Sequence, residues 1–510
     1  MKKILKAAFI LSATAGLFSC SMDLHQPGAI DTENAMSSLQ DAQNLRRGLY
    51  ANFRGAAAGV FVSYSEIQSD LFQATSGYGN NYGNFFRWDF TTSDEPGVWS
   101  SCYGVIANAN FFIENAENIL NGTSEAFSEE DRTELQIYLG EAYFFRAYFH
   151  YELALRFCNP YGASTTNPET DYGIPYVTVY HPTADRDTYP SRGTLAATYE
   201  HINEDLDIAE SYITTTGSVG SMWLTQDAVD AFRARVYLNM GDYNSVIEYA
   251  EPLVNSGRYP LVTTSSDFSA MWVNDSGNEC IMMLDASNES NNQPSSYDVM
   301  YISYQPNSSS YQPGYLPTQG VVDILQEFSG DFRASQFLLQ REVQEPYGNA
   351  TVYMFNKFPG NPALFPEGMS SGQSNYLHKN KPFRIAEVYL NLAEAYASTN
   401  QTGLASNVLN SLRVARISGY SPSYSQSDVM NEIKDERLRE LIGEGFRLWD
   451  LKRWGDPVVR ASAQAASIMI NHSTLTGNVS DNYQYKFLWP IPKAETDANP
   501  NIAGEQNPGY

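Results

Sequence analysis

The feature that most constrains this chain is a repeated pair of helices with small residues at the seam. Residues 231–250 read AFRARVYLNMGDYNSVIEYA. Ala231 and Ala234 let two helix backbones approach. Gly241 turns the chain, and Tyr243 and Ala250 carry the contact into the second helix. Residues 385–395, IAEVYLNLAEA, running on to Val414, form another such unit, and Leu139 to Leu155 a first half. Units of this kind cannot bury their apolar stripe alone, so they stack. Long insertions interrupt them here, which excludes a pure solenoid.

The spacing is tetratricopeptide-like, and further helices surround it. Leu39, Ala42, Leu45, Leu49 and Phe53 recur at three and four, predicting a helix within 31–54. Trp99 to Leu120 is helical by the same test. Ser128 with Asp131 forms a capping box for a helix reaching about Cys158. Helices are also expected near 191–213, 225–240, 242–256, 381–398, 403–417, 427–444 and 446–468. Short strands are expected near 174–180, 280–284, 351–358 and 485–489. Residues 74–97, 260–320 and 341–380 read as loops. The segment with Gly162, Pro168, Gly173, Pro175, Pro182 and Pro190 reads as an extended strap. The chain is therefore mainly α, with long irregular loops and few strands.

The first residues are not fold. Lys2, Lys3 and Lys6 precede a short apolar stretch that ends Leu17-Phe18-Ser19-Cys20. That order predicts a lipoprotein signal peptide over 1–19, acylation of Cys20 and a tether over 20–30. Asp23 resembles an acidic export signal for the outer leaflet. The body is expected to divide into a region 31–260 and a region 261–510, packed as one unit. Beyond Cys20, the remaining Cys102, Cys158 and Cys280 exclude a disulfide scaffold.

Charge narrows the ligand. Lys plus Arg is 32 against 58 Asp plus Glu, a net charge of −26 that becomes −29 when Lys2, Lys3 and Lys6 leave with the signal. Nothing here supports phosphate neutralisation, so nucleic acid is excluded. No HExxH or close His pair supplies a zinc site, no Walker sequence occurs and no EF-hand spacing predicts calcium. Gly368-Met-Ser370-Ser-Gly372 matches GxSxG, but prolines stand where the flanking strand and helix belong, so it reads as loop. Glu436, Glu440 and Glu444 fall at i, i+4 and i+8. Such like charges need cations between them, and Arg437, Arg439, Arg447 and Arg453 are near, so a structural ion-pair network is expected.

The aromatic residues carry the functional signal. A sugar shows an apolar C–H face that a ring covers and a hydroxyl edge that amides satisfy. One loop sets Tyr78, Tyr82, Phe86, Arg87 and Trp88 among Asn80, Asn81 and Asn84. A second holds Trp272, Tyr297, Tyr301, Tyr304, Tyr311 and Tyr315 with Asn291, Asn292, Gln293 and Gln305. Binding residues gather on loops carried by rigid scaffolds. The candidate contacts are Asp70, Tyr78, Asn81, Tyr82, Arg87, Trp88, Trp272, Tyr297, Tyr301, Tyr304, Tyr311 and Tyr315.

Several motifs resemble one family, the SusD/RagB surface nutrient-binding lipoproteins. They are the lipobox ending at Cys20; Trp99, Tyr103, Ile106 and Asn110; GEAYFFRA at 140–147; RIAEVYLNLAEA at 384–395; the run from Glu436-Arg437 through Glu440, Glu444, Gly445 and Arg447 to Trp449-Asp450 and Arg453-Trp454-Gly455; and Pro490, Pro492, Glu495, Asn499, Pro500 and the closing Gln506 to Tyr510. The resemblance implies a SusD-like fold of tetratricopeptide-like helix pairs and ligand contacts from loops matching 70–90 and 270–320. It also implies a SusC-type TonB-dependent outer-membrane transporter as partner, over which the protein sits as a lid. The expectation is a lipid-anchored, non-enzymatic glycan-binding protein of the outer membrane, without cofactor. A peptide-binding importer component is the second reading. An α-helical glycoside hydrolase is the third and requires two carboxylates facing one cleft.

Overall fold

The computed structural model describes residues 35–123, 125–287, 304–305, 310–365, 377–470 and 475–510. The signal peptide, Cys20, the tether, Asn291 to Gln293, Tyr297, Tyr301 and the GxSxG segment lie outside these residues.

The capping box forms as its residues predict. Ser128 accepts from the Asp131 backbone N–H while the Asp131 carboxylate accepts from that of Ser128. It opens the 29-residue helix Glu129–Phe157. That helix packs between Val98–Asn121 and Leu195–Tyr212 and also meets Leu39–Ala56, so its middle is buried on every face. Phe144, Phe145 and Tyr148 interleave with Phe53, Phe232 and Phe383, each burial contributing roughly 1.5–3 kcal/mol. The core that results runs from Met36 to Ile502, across both halves of the chain.

The helix pairs stack. Gln226–Met240 turns at Gly241, whose φ of 73° suits a residue without Cβ, into Tyr243–Asn255. Ile385–Ser398 and Thr402–Arg416 form the next pair, and Ile385–Ser398 lies against Tyr243–Asn255. The free Cys102, Cys158 and Cys280 are all buried.

Several expectations are corrected. The helix expected to reach 468 is only Arg447–Trp454, because Gly455 caps it in the left-handed region and Pro457 follows. The strap at 174–180 makes no strand; only Tyr172 and Thr194 bridge there. Residues 484–487 are a 3-10 turn, not a strand. Residues 341–350, read as loop, belong to the hairpin Leu338–Glu345 and Gly348–Phe355. The short helix Ser265–Val273 and the start of Gln319–Leu325 fall in a stretch read as loop, while Val60–Gln68 and Phe332–Phe337 lie in stretches to which the periodicity assigns no element. At two or three turns, burial decides such helices more than periodicity does.

The carboxylate row is a buried ion network. Glu436 meets Arg333 at 2.5 Å and Arg413 at 2.8 Å. Glu440 meets Arg384 at 2.9 Å, Arg416 at 3.0 Å and Arg333 at 3.1 Å. Glu444 joins Arg384 and Lys357, and Glu279 closes the set on Arg384 and Arg416. The guanidiniums hold the Glu436 carboxyl down at about 2 against the cost of burial, and Glu440 and Glu444 are also lowered. Carboxylates lowered on folding stabilise above their unfolded value near 4.5. That contribution is expected to fade as pH falls from 4.5 towards 2, read as falling urea midpoints. At neutral pH, Glu440→Gln strands buried cations and is expected to cost about 3–5 kcal/mol in urea unfolding.

Candidate functional site

A small antiparallel pair brings the two ring-rich loops together. Phe72–Ala74 pairs with Tyr315–Pro317, setting Ala74 opposite Tyr315 and Gln73 opposite Leu316. The first loop leaves from Ala74 and the second arrives at Tyr315. Tyr315 then donates its hydroxyl to the Asn81 carbonyl at 2.5 Å and packs its edge on Tyr78 and Phe86.

The base of the first loop is bolted to the C-terminal segment. Arg460 is 1 % exposed. It donates to the carbonyls of Ile67, Gln68, Ser69 and Phe86, spanning the loop's entry and exit. Its guanidinium also lies 4.1 Å from the Phe86 ring centre. Lys486 donates to the carbonyls of Trp88 and Phe90. Gln68 donates to the Lys486 carbonyl and accepts from the Trp489 indole.

The tip is held by Arg87. This guanidinium donates to the Tyr78 hydroxyl at 3.0 Å, Asn80 at 2.8 Å, Asn84 at 2.9 Å and Asp89 at 2.9 Å. Asn80, Tyr82 and Trp88 account for three of the six non-glycine residues with positive φ among those described. Each costs energy that the surrounding bonds must offset, and such strain concentrates at binding sites. Tyr78 and Tyr82 are half-buried and Asn81 is exposed; Tyr82 rests edge-on against Tyr64, 4.4 Å between ring centres.

Not every candidate reaches this surface. Trp88 is fully buried, donating its indole N–H to the Gln68 carbonyl. Trp272 is buried in Ser265–Val273 among Phe268, Phe337 and Phe358. Tyr315 is buried as well. These three rings offer no open face; Trp88 and Tyr315 shape the loop from beneath, and Trp272 belongs to the core. Asp70 is held by Arg447 at 2.9 and 2.7 Å. Tyr304 pairs its backbone with half-buried Tyr311. Of the candidates, Tyr78, Asn81, Tyr82 and Arg87 stay partly open in the first loop, and Tyr311 is half-buried in the strand beside the hairpin. Sequence reasoning missed Arg460 and the hairpin tip Glu345–Tyr347, although Pro346-Tyr347-Gly348 is a legible turn signal.

Away from the loops, a cavity of about 80 Å³ lies between the helix pairs and the C-terminal region. Its carboxylates are matched: Glu152 by Arg156, Glu387 by Arg235, Glu444 by Arg384 and Asp450 by Arg437. Glu444 and Asp450 are lowered by those cations, the opposite of what a general acid needs. Among the described residues no group of three His, Cys, Asp or Glu could hold a metal ion, and no helix is long and apolar enough to cross a membrane.

Stacked helix pairs presenting one ring-bearing loop face define a class of scaffold proteins that display an aromatic surface. Comparison with known proteins places it more closely. A profile described as "SusD family" matches residues 342–510, and one described as "Starch-binding associating with outer membrane" matches residues 22–238. The chain belongs to the SusD/RagB family. It is 23% identical to SusD-like protein P38 of Formosa agariphila, over 93% of this chain and 90% of that one. A SusD superfamily structure from Bacteroides thetaiotaomicron superposes with a TM-score of 0.75 at 25% identity, covering 92% of this chain and 100% of that one. A putative sugar binding protein from Bacteroides vulgatus gives 0.72 at 24%, covering 93% and 99%.

Arg460 provides the test of the loop's anchorage. Arg460→Gln leaves several buried carbonyls unsatisfied and is expected to cost about 2–3 kcal/mol in urea unfolding. Arg87 is the one tryptic site between Arg54 and Arg132, so faster cleavage after Arg87 reports release of the loop.

Proposed function

We propose that this protein is a cell-surface lipoprotein that binds an uncharged glycan at the outer membrane and passes it, uncleaved and without a cofactor, to a SusC-type TonB-dependent transporter. Acylated Cys20 would hold it there. The matching family, starch-binding and associating with the outer membrane, supports the glycan class. The observation that carries the reading is the loop itself. Its half-buried Tyr78 and Tyr82 offer rings and exposed Asn81 offers an amide, the pairing that a sugar's two surfaces require, while Asn80 and Asn84 turn their oxygens to Arg87.

Charge supports an uncharged ligand. Arg87 is the one Lys or Arg between Arg54 and Arg132, and none falls between Arg258 and Arg333. The Arg87 guanidinium is taken by Tyr78, Asn80, Asn84 and Asp89. The two ring-rich loops therefore bring no other Lys or Arg to a uronate or sulfate, and the −26 net charge repels polyanions. Cleavage finds little support, since a hydrolase needs two available carboxylates across the scissile bond. Asp89 is bonded to Arg87, and Asp94 to Thr91 and Asn84, which lower it.

Calorimetry of residues 21–510 tests this against maltoheptaose, laminarihexaose, xylohexaose and mannohexaose, with oligogalacturonate as the anionic counterpart. Binding to a neutral chain and not to oligogalacturonate is expected, with no new reducing ends. Replacing both Tyr78 and Tyr82 by Ala is expected to weaken it about tenfold or more, as losing about 1.4 kcal/mol would. Oligogalacturonate binding alone, or affinity untouched by that pair, contradicts the reading. Salt-sensitive binding of basic peptides would favour peptide cargo instead.

A further inference from the structure

The hairpin Leu338–Glu345 and Gly348–Phe355 is wedged against both ring-bearing loops. Its first strand packs along Ser310–Tyr311 and its second along Tyr315–Pro317. Its tip reaches the first loop through two bonds. The Gly77 N–H donates to Glu345 Oε2 at 2.7 Å, and the Tyr347 N–H donates to Ser76 Oγ at 3.2 Å. The approach is close: a Cβ on Gly77 would lie 2.5 Å from Glu345 Oε2, and the carboxylate would have to shift to admit it. Glu345 is 6 % exposed, and burial pushes its carboxyl up to about 7. Tyr347, one residue past Pro346, is 68 % exposed, the most exposed of the protein's exposed large hydrophobic side chains among the described residues. The tip is tied to the first loop at Glu345 and at Tyr347 itself, so the exposed ring is carried on a fixed stretch of backbone. Tyr78 follows Gly77 in the first loop, so the bonds at Ser76 and Gly77 bring its stretch of chain to the tip that carries Tyr347.

We propose that the hairpin tip is a third wall of the glycan site, in which Tyr347 stacks on a second sugar ring of the chain held at Tyr78 and Glu345 is the positioning residue that fixes the tip to the Gly77 turn. The inference rests on the glycan reading above and adds a subsite that neither ring-rich loop contains. It makes the bound glycan at least two sugars long.

The test uses residues 21–510 and the same four neutral oligosaccharides. Tyr347→Ala removes an exposed ring and leaves the core untouched, so its melting temperature is expected to stay unchanged. Its affinity for whichever oligosaccharide binds is expected to fall at least fivefold, and Tyr347→Phe is expected to stay within twofold of the unsubstituted protein. Glu345→Ala is expected to weaken binding severalfold, with rescue by Glu345→Gln, which keeps an acceptor for the Gly77 N–H. If Tyr347→Ala binds as the unsubstituted protein does while the Tyr78 and Tyr82 double variant loses affinity, the third wall is wrong and the glycan site stands. If Glu345→Gln fails to rescue, Glu345 does not act by positioning the tip. If the unsubstituted protein binds none of the four, the glycan reading falls and the third wall with it.

Discussion

Glu440 sits where the whole architecture closes. A carboxylate without solvent contact is costly, and only dense pairing makes it tolerable. Here three guanidiniums from three different places in the sequence, Arg333, Arg384 and Arg416, converge on it. Arg416 ends one helix of a stacked pair, Arg384 leads into another, and Arg333 comes from the loop-rich region. Because Glu279 shares Arg384 and Arg416, the strand Cys280–Met282 is drawn to the same point. The helix pairs and the irregular segments that cover them are therefore locked by charge as well as by apolar packing.

That rigidity is what the ring loop draws on. Its base rests on groups that have few other places to go: Arg460 bonds to four carbonyls, and Gln68 links Trp88, Lys486 and Trp489. A fixed base lets the tip hold left-handed Asn80 and Tyr82 without collapsing. Ordering a binding loop before the ligand arrives leaves less entropy to be lost on binding. The same logic explains why Arg87 spends its donors inside the loop: it shapes the surface instead of reading charge on the ligand.

Much of this was legible in the residues. The small-residue seams at Ala231, Ala234 and Gly241, the Ser128 capping box and the need of Glu436, Glu440 and Glu444 for cations are local or periodic signals, and each appears as expected. The cations proved different in part. Arg439 reaches Glu436, but the main partners Arg333, Arg384, Arg413 and Arg416 lie far off in sequence or on another helix. The site was half legible. Tyr78, Asn81 and Tyr82 stay partly open in one loop and Tyr311 is half-buried in another, whereas Trp88, Trp272 and Tyr315 are core. Ring-rich composition does not say which face of a loop turns inward, because that depends on strand pairing such as Ala74 with Tyr315. The hairpin tip escaped notice because its neighbours, Ser76 and Gly77, are brought to it only by the fold.

The central claim is that a preformed loop face on a rigid scaffold takes an uncharged glycan. Hydrogen–deuterium exchange of residues 21–510, with and without the neutral oligosaccharide that binds, tests it most directly. The account predicts new protection confined to peptides covering residues 75–90, 310–317 and 344–349, with the helix pairs unchanged. Protection centred instead on the internal cavity around Arg156 and Arg235, or spread through the helix pairs, would contradict it.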